Sequence, residues 1–287
     1  MKETAMAKIK ITCDSTCDLT PELYEKYDIE VIRYGIYLGD ELRTDGVDVQ
    51  VSELYEYADR TGVLPKTSAI SPEEYKDVFK KYTDQGMSVI HINLSSELSS
   101  AFQNAMIAAR EVGNVYPIDS RNLSTGSGHL VLMAKELADQ GLEAEEIVER
   151  LNEAKERLDV SFVITTLEYL RMGGRCSALA AFGANLLKLH PEIKVMNGKM
   201  GVGRKYRGTT KKFVEAYVRG ALEGRTDIDT HRIFVTHSPM DPEIVQDMMR
   251  LVNELHPFEE VIETSAGCTV STHCGPGTLG VLFFRKK

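Results

Sequence analysis

Three times the chain repeats one short pattern: a side chain able to cap a helix, then proline, then glutamate. Thr20-Pro21-Glu22, Ser71-Pro72-Glu73 and Asp241-Pro242-Glu243 each place an oxygen acceptor at the N-cap, a residue with preset φ at the first helical position and a negative charge in the first turn. Glu74 adds a capping-box spacing to Ser71. These are helix starts, and short apolar runs lie between them. Residues 9–13, 88–92, 115–118, 162–165, 233–236, 261–263 and 279–284 read as strands. Helical periodicity fits 102–112, 130–137, 144–158, 213–222 and 244–255. Strands alternating with helices of this length predict an α/β fold, a mostly parallel sheet covered by helices.

The second half departs from that rhythm. Asn197-Gly198, set between 193–196 and 200–203, is a hairpin signal and adds antiparallel strands. The expectation is therefore two domains. Residues 1–160 form an α/β unit, and 161–287 form an α/β unit with a mixed or antiparallel sheet, with any ligand held between them.

Composition narrows the function. A formal charge of −9 with scattered Lys and Arg argues against nucleic acid, which calls for clustered positive charge. No stretch reaches the roughly 18 apolar residues of a membrane span, and no signal-peptide pattern is present. The chain reads as a soluble cytoplasmic protein without stable membrane insertion. Met1-Lys-Glu-Thr-Ala reads as an appended segment, with Met6 as the natural start. Five cysteines, odd in number and irregular in spacing, suit a reducing compartment. Cys13 and Cys17 form neither a redox CxxC nor half a zinc site and read as buried or incidental thiols.

Small polar residues gather where strands end. Asp14-Ser15-Thr16 follows the first strand and Lys66-Thr67-Ser68 precedes the Ser71 cap. Ser95-Ser96-Glu97-Leu98-Ser99-Ser100 follows the strand 88–92, and Asp119-Ser120 with Ser124-Thr-Gly-Ser-Gly128 follows 115–118. Ligands of open parallel sheets sit beyond the carboxyl ends of strands, so these loops can converge on one crevice. Hydroxyls and helix N-termini suit an anion, though each cluster is also explained by capping alone.

The run Ser265 to Gly280 is rich in small, hydroxyl and glycine residues, and His273 is its only group titrating near neutrality. It reads either as backbone made for close approach to a ligand or as a glycine turn feeding the strand 279–284. Arg175, after Gly173-Gly174, is a candidate clamp for phosphate or carboxylate. Arg204 and Lys205 read as a solvated basic face. No GxxxxGK[ST] loop, complete dinucleotide fingerprint, zinc spacing or G-x-S-x-G elbow is present.

Six segments match one family in order: Asp14-Ser-Thr-Cys-Asp-Leu19, Thr67-Ser-Ala-Ile-Ser-Pro72, Ser95-Ser-Glu-Leu-Ser99, Asp119-Ser120, Leu167-Glu-Tyr-Leu170 with Gly173-Gly-Arg175, and His273-Cys-Gly-Pro-Gly-Thr-Leu-Gly280. Together they resemble the DegV family of fatty-acid-binding proteins from about Lys8 to Phe284. The resemblance implies a two-domain protein holding one long-chain fatty acid in a buried tunnel. It further implies presentation of the carboxylate to a fatty acid kinase subunit, which phosphorylates it to an acyl phosphate; the chain is then a substrate-presenting subunit rather than an enzyme. Carried over, Thr67 and Ser95 or Ser96 hydrogen-bond the carboxylate with His273 beside it. Arg175 and Arg207 stand at the mouth, where the phosphoryl group or the kinase arrives.

No metal or other cofactor is implied. Ser100-Ala101-Phe102 replaces a common Gly-Thr-Tyr, and Ala69-Ile70 a common Gln-Pro, which bear on the helix start and the pocket wall. A chain of fourteen to eighteen carbons, at about 0.8 kcal/mol per methylene, gains on the order of 10 kcal/mol gross on burial. Its carboxylate needs several hydroxyl donors, with a protonated imidazole as a further candidate. Two other classes remain open: an autonomous enzyme acting on a small phosphorylated or carboxylated substrate, and a regulatory module reporting lipid status.

Overall fold

The computed structural model describes residues 8–177 and 189–287. Along the chain run β1 (Ile9–Asp14), α1 (Pro21–Lys26), β2 (Glu30–Ile32), β3 (Gly35–Leu38), β4 (Glu41–Thr44), α2 (Val51–Thr61), β5 (Lys66–Ser68) and α3 (Pro72–Thr83). Then come β6 (Ser88–Asn93), α4 (Ala101–Val112), β7 (Val115–Asp119), α5 (Ser124–Asp139), α6 (Ala144–Ala154), β8 (Leu158–Val163) and α7 (Glu168–Gly173). The remainder is β9 (His190–Met196), β10 (Lys199–Tyr206), α8 (Thr210–Leu222), β11 (Ile228–His237), α9 (Pro242–Leu255), β12 (Glu260–Ser265), α10 (Cys268–Cys274) and β13 (Leu279–Arg285). All three Pro-Glu signals open helices: α1, α3 and α9 have proline in the first turn and the cap oxygen of Thr20, Ser71 or Asp241 accepting a backbone N–H.

The first sheet has the order β2-β1-β6-β7 and is parallel throughout. Every residue of β6 is buried, as expected of an inner parallel strand with helices on both faces. The second sheet has the order β10-β9-β8-β13-β11-β12, with only β11 and β12 parallel. Its outer hairpin turns at Asn197 (φ 51°) and Gly198 (φ 82°), the left-handed pair that a two-residue hairpin needs.

Two features depart from expectation. Residues 30–68 contain a third, antiparallel sheet, β4-β3-β5, whose strands of three or four residues are too short for a periodicity to register. The helix expected to reach 158 ends at Ala154, and after a 3₁₀ turn Leu158 starts β8, so the strand expected at 162–165 is in fact 158–163. The charged Lys155-Glu156-Arg157 turn hides that boundary.

Helix α5 packs against β1 and β6 on one side and β8, β11 and β13 on the other, and residues 122–132 are all buried. Gly126 and Gly128 make this possible. A Cβ on Gly126 would lie 2.9 Å from Val160 Cγ2 of the second sheet, and one on Gly128 would lie 2.9 Å from the Cys17 carbonyl after β1. The two glycines therefore serve close packing on opposite sides of one helix.

Candidate functional site

A cavity of about 250 Å³ lies where the three sheets meet, a little below the usual range of ligand pockets. Leu94, Leu98, Leu123, Met200 and Val270 supply its apolar wall, and Thr16, Tyr34, Thr67, Ser99 and His273 its polar atoms. An adjoining recess of about 30 Å³ shares Leu123, Val270 and Cys274 with it and continues along Phe162 and Leu282.

The glycine-rich run is neither a loop nor a simple turn. After Gly267 it forms α10, buried at Cys268, Thr269, Ser271, Thr272 and Cys274. Two buried carboxylates hold its start: Gly267 N–H donates to Asp18 (2.9 Å), Cys268 N–H to Asp45 (2.9 Å) and the Thr269 hydroxyl to Asp45 (2.7 Å). Burial pushes the Asp18 carboxyl up to about 8, with Asp45 adding to the rise against the hydrogen bonds from Ser124 and Gly267. The helix escapes periodicity because it is covered on several sides and has no polar face to contrast with an apolar one.

At its other end α10 presents His273. Its Nε2 lies 3.1 Å from Thr67 Oγ1 on β5, while Nδ1 has no hydrogen-bond partner among the described residues and stands where a Cβ on Gly173 would come within 2.4 Å. Burial, reinforced by the charge of Arg175, pulls the imidazole down to about 4. That shift favours the neutral ring at pH 7 over the protonated imidazole named above as a candidate. A neutral ring carries one proton. Leaving Nδ1 as a bare acceptor is less costly than leaving it as an orphaned N–H, so the proton belongs on Nε2, which donates to Thr67. Thr67 keeps its own proton for the cavity.

A second relay ends the same way. The Tyr34 hydroxyl donates to Ser99 Oγ at 3.0 Å, and the Ala101 N–H donates to the same oxygen at 3.2 Å. Ser99, like Thr67, has an occupied oxygen and an unspent proton. Hydroxyls in that state offer donors, and donors in an apolar cavity suit an anion.

The serines expected at the site sit elsewhere. Ser95 is fully buried and donates to the Gly198 carbonyl at 2.8 Å, tying the hairpin turn to the end of β6. Ser96 donates to Asp119 at 2.5 Å, and its N–H bonds the other carboxylate oxygen at 3.1 Å. Neither lines the cavity. The chain makes a turn over residues 96–98 that delivers Ser99 instead. Arg175 lines the cavity and is braced by the Gly173 carbonyl at 2.7 Å. Arg207 is exposed beyond β10 and lies outside the cavity lining. Tyr34 is a cavity residue that sequence reasoning left out. Ser99 and Thr16 stand inside segments already singled out, but only the fold shows which hydroxyl of each cluster turns inward.

Among the described residues no group of three His, Cys, Asp or Glu is placed to hold a metal ion, and no helix is long and apolar enough to cross a membrane. All five cysteines are buried, and none of them is in a disulfide.

The sequence pattern of the uncharacterised DegV family matches residues 8–286. The chain belongs to the DegV family. A DegV domain-containing protein of Clostridium perfringens is 32% identical, with 97% of this chain and 99% of that one covered. A fatty acid-binding protein of Thermotoga maritima is 31% identical over 95% of this chain and 96% of its own. The fatty-acid-binding DegV family protein of Thermus thermophilus superposes with a TM-score of 0.86 at 28% identity, covering 97% and 99% of the two chains. The B3 protein of the Streptococcus pneumoniae fatty acid kinase, loaded with linoleic acid, shares the fold at a TM-score of 0.82 and 22% identity, over 96% and 99%.

Proposed function

We propose that this DegV protein binds one long-chain fatty acid, with its carboxylate at Thr67 and Ser99 and its chain along the apolar wall, and presents that carboxylate to a kinase subunit. The observation that carries the reading is the pair of relays, His273 to Thr67 and Tyr34 to Ser99, each ending in a hydroxyl that lines the cavity and whose oxygen is already engaged. A buried carboxylate is held only if donors replace its water, and each hydrogen bond to a charged group contributes about 1.5–3 kcal/mol. Fatty-acid-binding relatives support the same ligand class.

In this reading His273 orients the Thr67 hydroxyl rather than carrying charge. Arg175 is the cation nearest the headgroup and would meet a phosphoryl group arriving there. Arg207 is assigned to the surface that the kinase meets, and the chain divides near residue 160 into the two units that wall the cavity. The protein itself is the carrier, and the partner supplies the transfer chemistry.

Denaturing extraction and mass spectrometry of protein purified, and then incubated with C14 to C18 acids, should recover about one fatty acid per chain. Recovery of none after incubation would refute the carrier reading. Arg175→Ala should retain acyl binding and lose acyl-phosphate formation with a fatty acid kinase. Full competence of that variant would remove the transfer role.

A further inference from the structure

Thr16 is fully buried and lines the cavity, yet its hydroxyl has no hydrogen-bond partner among the described residues. A buried hydroxyl without a partner is destabilising, and Thr16 is one of the residues that border the cavity. Its neighbours fix its place relative to the headgroup donors. Ser15 bonds Asp45 (2.9 Å), which holds Thr269, and Ser15 Oγ accepts the Tyr34 N–H (3.2 Å). Asp18, on the other side, holds Gly267. Thr16 is thus anchored to the first turn of α10 and to the backbone end of Tyr34. The donors lie at the opposite ends of both: Thr67 meets His273 in the last turn of α10, and Ser99 meets the Tyr34 hydroxyl. From Thr269 to His273 is four residues, a rise of about 6 Å.

Resting on the fatty-acid reading, we propose that Thr16 is a second polar contact, separate from the carboxylate donors, and that it makes the cavity favour acyl chains bearing a hydroxyl or keto oxygen several carbons from the carboxylate. A plain chain leaves Thr16 unpaired, whereas an oxygenated one satisfies it. The cavity then selects by the position of an oxygen as well as by length.

The test is competition binding of stearic acid against a positional series of hydroxystearic acids, on the full chain. Wild type should bind one isomer hydroxylated in the half of the chain nearer the carboxylate about five- to tenfold tighter than stearate. Thr16→Val, which keeps the shape and removes the donor, should erase that preference and bind stearate as well as or better than wild type; Thr16→Ser should keep the preference. The proposal is overturned if no isomer outranks stearate in wild type, or if Thr16→Val weakens all chains equally, which would make Thr16 a carboxylate or structural residue. Thermal unfolding of each variant shows whether it is folded. Wild type that binds neither stearate nor any hydroxystearate would overturn the fatty-acid reading itself, and this inference with it.

Discussion

At the scale of single residues, what matters is where each hydroxyl proton goes. Thr67 and Ser99 have occupied oxygens and free protons, while Ser95 and Ser96 spend theirs on Gly198 and Asp119. Thr67→Val and Ser99→Ala should therefore each weaken acyl binding about tenfold or more with little change in stability. Ser95→Ala should do the reverse, lowering stability by about 1 kcal/mol and leaving affinity unchanged. Titration calorimetry with palmitate and urea unfolding, run on all three, separate the outcomes. A loss of affinity in Ser95→Ala alone would show the donors misassigned. Of the residues singled out in the sequence, Thr67, His273 and Arg175 line the cavity: His273 and Arg175 are set off by their neighbours, and Thr67 was named through the family resemblance. Ser99 was not legible as a site residue, since four serines in six residues look alike until a turn is folded.

Helices with a polar face and a cap were legible, down to the capping box at Ser71. The buried ones were not: α10 has no polar stripe, and α5 was recognised only over its second half because its first turns are small residues enclosed on both sides. Gly126-Ser-Gly128 lacks the third glycine of a dinucleotide fingerprint, and its glycines are points of close packing, Gly126 against Val160 of β8 and Gly128 against the turn that follows β1. Gly128→Ala would bring a methyl group to 2.9 Å from the Cys17 carbonyl and 2.8 Å from a Leu19 methyl. We expect a loss of about 1–3 kcal/mol in chemical denaturation, and unchanged stability would mean that α5 can shift away from β1 without penalty.

Across the whole molecule, three buried groups set opposing pH slopes. Burial lowers His129 to about 3 and His273 to about 4 from 6.5. Between about pH 4 and 6.5 the unfolded chain takes up protons on both imidazoles that the folded chain refuses, so these groups make stability rise with pH. Asp18 runs the other way: folded it keeps its proton to about 8, whereas unfolded it loses it near 3.8, so stability falls as pH rises across that window. Two groups outweigh one below 6.5, and Asp18 acts alone above it. The urea midpoint should peak near pH 6.5, and Asp18→Asn should flatten the decline toward pH 8. An unchanged alkaline slope in that variant would show that Asp18 is ionised in the folded protein.

Sheet class was legible at this scale from strand and helix alternation and the Asn197-Gly198 turn. Strand order was not, because pairing β8 with β13 across more than a hundred residues leaves no local trace. That pairing places β13, at residues 279–285, in the interior of the second sheet between β8 and β11. During synthesis, β8 and β11 would emerge from the ribosome first and wait with their inner edges open until the chain had been made through Arg285. α10, which carries His273, immediately precedes that strand. The first parallel sheet can close early, whereas a nascent chain halted before α10 lacks Thr269, Val270, His273 and Cys274, a whole side of the cavity wall.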